Sequence, residues 1–347
     1  MVIFEKPRDI LFTLLLDQGI TSIGSKIKAK ELPVLNNKFQ QLITHMLLYD
    51  KTIKIVKEGG WCPLYSETWN NKVFTLCRRN VRVYMNTSSV DSVYPHEKGE
   101  GLMIELKHLL SLLPQPVKPI FIVDLRYWDL LLDKERNLLL TQLSFSLSIL
   151  REYLWDLNLV ITSAPKGIID RIKQFMGHNK VQIYVEGPER VLENYKSDKV
   201  IVLDPNAPRQ LTSKDLDEIE VYILGGIVDK IIPRQGLTST LAKELGLETR
   251  KVTLRGSTIG VPCRINKIIE IILRAKYDTP KDIDLAIKLS QSRIDARWRA
   301  HKEIIEYAKK YGRFTIPKEL YYELSKWLNL TWKDFIQAVK MAGMEIK

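Results

Sequence analysis

The chain has 347 residues, 45% of them hydrophobic, enough to bury one large core or two to three smaller ones. Its 53 Lys and Arg outweigh 41 Asp and Glu, for a net charge of +12. The excess is spread evenly, with 15 basic against 11 acidic residues over 1–117, 24 against 20 over 118–276 and 14 against 10 over 278–347, which excludes a basic tail and suits a polyanion such as RNA. Cys62, Cys77 and Cys263 form no CxxC pair, so neither a disulfide framework nor a zinc site is expected. The five histidines lack ligand spacing, and no metal site is predicted. No apolar run reaches membrane-spanning length, and a soluble, cytoplasmic protein is expected.

From the N-terminus, "FTLLL" lies between Asp9 and Asp17. "ELPVLNNKFQQLITHMLLYD" reads as a helix, and "KTIKIV", "KVFTLC" and "VRVYMN" read as strands, giving an α+β region over residues 1–117. "LLPQPVKP" (112–119) holds three prolines and reads as a linker. Strands then alternate with helices. "PIFIVDL" is a strand, and a helix from about Asp133 carries Leu139, Leu143, Leu147, Leu150 and Leu154 on one face. "LNLVITSA", "VQIYVEG", "KVIVLDP", "VYILGG" and "TRKVTL" read as further strands. "PKGIIDRIKQFM", "SKDLDEIE", residues 237–245 and "INKIIEIILRA" read as helices. Strands apolar throughout predict a parallel sheet covered on both faces, an α/β domain over 118–277. Residues 278–347 read as helices, with one run through "TPKDIDLAIKLSQSRIDARWRAHKEIIEYAKKYG". Thr331 with Asp334 forms a capping box, and Gly343 is a C-terminal stop.

Ligands of open α/β sheets bind beyond the carboxyl ends of strands, where Asp124, Ser163, Asp204, Gly225, Gly226 and Asp229 fall here. Neither G-x-G-x-x-G after a strand nor a Walker A sequence is present. Gly225-Gly226 permits positive φ and close backbone approach; read alone it is a turn or a ligand step, and Asp229 is a cap or a reacting group. Trp298 among Arg293, Arg297 and Arg299 fits a solvated helix face or an RNA contact. The last two helices could mimic a helix-turn-helix, but no DNA partner is expected.

"KVIVLDPNA", "LDEIEVYILGGIVDK", "GLTSTLAKELGLETRKVTL" and "RINKIIEIIL", in that order and spacing, resemble the Trm10-type tRNA methyltransferases of the SPOUT superfamily. "FIVDLRYWDLLLDKERNLLLTQLSFSL" and "LVITSAP" resemble the opening of the same catalytic domain, and the likeness covers 118–276. The resemblance implies a knotted parallel-sheet methyltransferase domain, S-adenosylmethionine as cofactor and a monomeric enzyme. It also implies methylation of N1 of the purine at tRNA position 9. The cofactor residues it implies are Leu203, Gly225, Gly226, Asp229, Thr238, Val252, Arg264, Ile265 and Asn266, with Asp229 catalytic. The family's Leu-Pro-Ile appears here as Val252-Thr253-Leu254, and the segment between Asp229 and Gly236 is one residue longer. Arg293, Arg297 and Arg299 are the candidate tRNA contacts of the C-terminal part, and residues 1–117 are a second candidate RNA-binding region. Every candidate pocket residue precedes Tyr277, so the pocket is expected to be independent of the C-terminal helices. An enzyme acting on ribosomal RNA and a non-catalytic RNA-binding protein are the competing readings. Either purine suits a carboxylate: guanine N1 must lose a proton to a base, while adenine N1 offers a lone pair and gains charge.

Overall fold

The computed structural model describes residues 6–17, 19, 21–25, 38–49, 53–58, 60–79, 90–94, 103–104, 111, 118–228, 231–234, 236–312 and 314–347. It divides into two compact units. One comprises Met1–Lys118 with Leu150–Asn158 and Gly177–Val181; the other comprises Pro119–Ile149, Leu159–Met176 and Gln182–Lys347.

The first unit contains α1 (Pro7–Asp17), β1 (Ser22–Ser25), α2 (Lys38–Leu48), β2 (Ile53–Glu58), β3 (Gly60–Trp69), β4 (Lys72–Arg79), β5 (Val90–Tyr94) and β6 (Met103–Ile104). Its strands form one mixed sheet in the order β3-β4-β1-β5-β2-β6. Phe12 of α1 stacks on Phe74 of β4 with centroids 4.0 Å apart and meets Phe39 of α2 edge-on at 5.0 Å. The buried Gln40 is satisfied at both ends, accepting from Arg8 N and donating to Leu154 O. The strand expected at "VRVYMN" and the start of the helix expected at "ELPVLNN" lie outside the described residues.

The second unit opens with β7 (Ile120–Asp124), α3 (Asp133–Leu150), β8 (Leu159–Thr162), α4 (Ile169–Met176), β9 (Gln182–Ile183) and α5 (Pro188–Tyr195). It continues with β10 (Val200–Leu203), α6 (Ser213–Glu218), β11 (Val221–Gly225), α7 (Leu237–Leu245), β12 (Thr249–Arg250) and α8 (Ile265–Tyr277). Six strands pair in parallel in the order β12-β10-β11-β7-β8-β9, as the alternation of apolar strands and helices predicts. Side chains alternate across the sheet. Ile120, Ile122, Val221 and Ile223 pack with Val191 of α5 and Leu241 of α7, while Phe121 stacks on Tyr222 at 5.4 Å. The leucines on the apolar face of α3 are buried, as their spacing requires. The edge strands β9 and β12 are shorter than their apolar runs, holding two residues each.

The chain ends with α9 (Ile283–Ser290), α10 (Arg293–Tyr311), β13 (Thr315–Ile316), α11 (Glu319–Ser325), α12 (Trp332–Met341) and β14 (Glu345–Ile346). The single helical run expected after Tyr277 is broken. Ser292 turns to an extended backbone and forms a capping box with Asp295, which starts α10 afresh. The Thr331–Asp334 box starts α12, and Gly343 follows α12 with φ +68°. The β13–β14 pair carries only two residues per strand, too few for a periodicity signal.

Candidate active site

β10 and β11 lie side by side inside the parallel sheet, and their carboxyl ends open onto a cavity of about 430 Å³. Leu203 and Asp204 enter it from β10, Gly225 and Ile227 from β11, and Thr238 from the start of α7. Val252 and Ile265 close it from either end of the loop that joins β12 to α8. Five of the predicted cofactor residues, Leu203, Gly225, Thr238, Val252 and Ile265, therefore share one cavity. Gly226, Arg264 and Asn266 do not line it, and Asp229 lies outside the described residues.

The glycine step is explained by space. Neither Gly225 nor Gly226 has a positive φ, contrary to one reading of the pair. A Cβ on Gly226 would lie 2.6 Å from Leu125 Cδ2 and 2.8 Å from the Asp124 carbonyl oxygen, to which the Gly226 N–H donates at 2.7 Å. A Cβ on Gly225 would sit 3.0 Å from Ile227 Cδ1 and 3.4 Å from Thr238 Oγ1, filling the floor of the cavity. Asp204 is 3% exposed and accepts from the Ser239 hydroxyl and from Asn206 N at 3.0 Å. Arg264 is the exposed N-cap of α8, whose first amide, at Ile265, donates to Gln142 Oε1 of α3 at 2.8 Å. Asn266 is 7% exposed, and its Oδ1 is a buried acceptor without a hydrogen-bond partner.

The loop after the glycine step is tied down by a residue that the sequence did not single out. Glu135, in the first turn of α3, is fully buried and pairs with Arg234 at 2.8 Å. It also accepts from the amides of Leu132, Ile231 and Ile232 at 3.1, 3.1 and 3.4 Å. The Arg234 bond, reinforced by the three amides against the opposing effect of burial, holds the Glu135 carboxyl down to about 2. Arg234 in turn donates to the carbonyls of Val228, Ile232 and Leu130 at 3.3, 3.0 and 2.6 Å. A glutamate three residues into a helix reads as an ordinary cap in sequence, so nothing marked it. The Arg234, Arg250, Thr258 and Cys263 side of the cavity was equally unmarked.

A cavity of this volume is within the range of small-molecule sites. Apolar side chains from Leu203, Ile227, Val252 and Ile265 offer faces to a flat ring. Backbone polar groups at the glycine step and the Asp204 carboxylate offer hydrogen-bonding edges. Residues 100–279 match the family model for tRNA (guanine(9)-N(1))-methyltransferase TRM10/TRM10A, over half of the chain. The tRNA (guanine(9)-/adenine(9)-N1)-methyltransferase of Thermococcus kodakarensis is 31% identical over 359 residues, covering 96% of this chain and 87% of that protein.

This chain belongs to the Trm10 family.

Another member, the tRNA (adenine(9)-N1)-methyltransferase of Sulfolobus acidocaldarius, is 32% identical over 215 residues, 61% of this chain and 65% of that one. The crystal structure of Sulfolobus acidocaldarius Trm10 in complex with S-adenosylhomocysteine shares the fold, with a TM-score of 0.68 at 22% identity over 97% of this chain and 99% of that chain. The six-stranded parallel sheet is thus the Trm10-like α/β fold that the resemblance implies.

The three candidate tRNA arginines of α10 have different surroundings. Arg293 and Arg297 each donate to Asp334 of α12 at 3.0 Å, with side chains 54% and 27% exposed. Arg299 corrects its assignment. Its side chain is only 4% exposed, and its guanidinium is spent on Glu303 Oε1 at 2.7 Å and on the carbonyls of Leu254 and Ile259 at 2.7 and 3.3 Å. Arg299 lies three residues after the buried Ala296 on α10 and points into the protein with it, so its guanidinium is not presented to a phosphate.

Proposed function

We propose that this chain transfers the methyl group of S-adenosylmethionine to N1 of the purine at position 9 of tRNA. The carrying observation is that the cavity at the carboxyl ends of β10 and β11 is built from the segments that the chain shares with its family. The finer family features belong to the same proposal: a trefoil knot towards the end of the catalytic domain, a monomer, a cytoplasmic site of action, and tRNA held by residues 1–117 and by the C-terminal helices.

When bound, the cofactor supplies an electrophilic methyl group on a sulfonium. Ile227 and Val252 would pack against its adenine, the backbone at Gly225 would meet the base edge, and Asp204 would accept from its hydroxyls, all four lining the cavity. Asp229 follows directly on Val228, the last described residue of the glycine step, and is the proposed catalytic carboxylate. With guanine it takes the N1 proton as a general base; with adenine it receives the amino group and faces the developing positive charge. Glu135 and Arg234 anchor residues 231–234, which follow shortly after it in the chain.

The test is tritiated methyl transfer from S-adenosylmethionine into tRNA transcripts carrying G, A or a pyrimidine at position 9, with ribosomal RNA fragments in parallel. Incorporation at N1 of purine 9, and none into the pyrimidine-9 transcripts or the ribosomal fragments, is the expected result. Label recovered elsewhere in tRNA, or only in the ribosomal fragments, would overturn it.

A further inference from the structure

The loop between Leu254 and Gly260 is held at both ends by helices that follow the catalytic block. Arg299 of α10 donates to the carbonyls of Leu254 and Ile259. Gln291 donates to the carbonyl of Gly260 at 2.7 Å, and Lys302 to the Ser257 hydroxyl at 3.1 Å. At the turn itself, the Arg255 amide donates to Asp284 of α9 at 3.2 Å. Gly260 has φ +84°, and a Cβ there would lie 2.4 Å from Arg299 Cβ, so loop and helix touch without room for a side chain. The Arg255 and Arg299 guanidinium carbons lie 4.4 and 5.1 Å from the ring centroid of Trp327, beyond α11. Within and just beyond this loop, Thr258, Val261 and Cys263 line the cavity, with Val252 and Ile265 at its two ends.

We infer that Arg299 is a positioning residue for the cofactor pocket, and that the C-terminal helices set its affinity for cofactor. This rests on the cofactor reading above and deepens it. A guanidinium offers donors in a rigid fork, so one buried side chain fixes two carbonyls five residues apart. Without it the Ile259 carbonyl loses this donor, the Leu254 carbonyl is left with the Ser257 amide at 3.1 Å, and the loop moves to find water. The pocket wall moves with it. On this inference the pocket is not independent of residues 278–347, contrary to the expectation from sequence.

The experiment compares the full-length wild type with Arg299→Ala and Arg299→Lys. It measures affinity for S-adenosylhomocysteine by calorimetry, affinity for tRNA by filter binding, and amide exchange of residues 252–261. Arg299→Ala is expected to weaken S-adenosylhomocysteine at least about tenfold, to speed exchange of the loop, and to leave tRNA affinity within about twofold. Arg299→Lys, which keeps one donor, should recover part of the loss. Lys302→Ala, on a partly exposed side chain, is the variant that folds in any case; about two- to threefold weaker binding with faster loop exchange is expected. A wild-type chain that fails to bind S-adenosylhomocysteine would sink the cofactor reading. Wild-type binding with unchanged affinity and loop exchange in folded Arg299→Ala, or in Lys302→Ala should the first not fold, would sink the positioning role alone. Loss of tRNA affinity with intact cofactor binding in Arg299→Ala would return Arg299 to the RNA surface.

Discussion

On the proposed function Asp229 and Gly225 divide the labour of one short segment, and their variants should fail differently. Asp229→Asn keeps the shape of the side chain and removes its basicity. Cofactor affinity should stay within a few-fold while methyl transfer to guanine 9 slows by about 100-fold or more, measured in single-turnover assays. Unchanged rates on both purines would reduce Asp229 to a loop cap. Gly225→Val acts on space. The first carbon of any side chain already meets Ile227 at 3.0 Å, so the γ-methyls must enter the cavity. Calorimetry should show no measurable S-adenosylhomocysteine binding, with tRNA affinity retained; wild-type affinity would mean that the pocket lies elsewhere. The strand-end glycines were visible in the sequence, but the reason for them was only half legible. Positive φ is a property of one residue, whereas the contacts of Gly226 with Asp124 and Leu125 come from the pairing of β11 with β7.

Among the elements, those set by repeated apolar contacts were the most legible. β7, β10, β11 and α8 all sit where their runs of branched residues place them. Where the ends depend on a single polar side chain, reading became harder: the Ser292–Asp295 box splits what periodicity joins, because α9 and α10 share a continuous helical pattern. The Thr331–Asp334 box was legible and has a larger role than capping. Burial pushes the Asp334 carboxyl up, but the Thr331 hydroxyl and Arg293 and Arg297 outweigh it and bring it down to about 2. A carboxylate held below its ordinary value stabilises the fold above about pH 4 and loses that contribution as pH falls towards 2. Asp334→Ala should therefore cost about 1–2 kcal/mol at pH 7, mostly the cap, since the paired arginines are partly solvated. In urea unfolding the gap between wild type and variant should narrow at pH 3. A gap independent of pH would show that the carboxylate charge contributes nothing to α12.

For the whole molecule, the question is whether the C-terminal helices grip tRNA as well as bracing the cofactor loop. Deleting residues 278–347 cannot separate the two roles, because it removes Arg299, Gln291 and Lys302 together with every C-terminal cation. Surface lysines can. Lys333 and Lys340 are exposed and seven residues apart on α12, so they project from the same side of that helix. Neither is among the residues that bond the 254–260 loop. If both meet phosphates, the double alanine variant should bind tRNA more weakly and flatten the plot of log affinity against log salt. Each lysine–phosphate pair removed should change that slope by somewhat under one unit, about 0.9 on the B-DNA scale. Affinity for S-adenosylhomocysteine should not change. Arg299→Ala should give the mirror image, with cofactor affinity reduced and the salt slope kept. An unchanged slope in the lysine variant would assign the helices to the cofactor pocket alone, and the phosphate contacts to residues 1–117 and the catalytic block, where the remaining excess of positive charge resides.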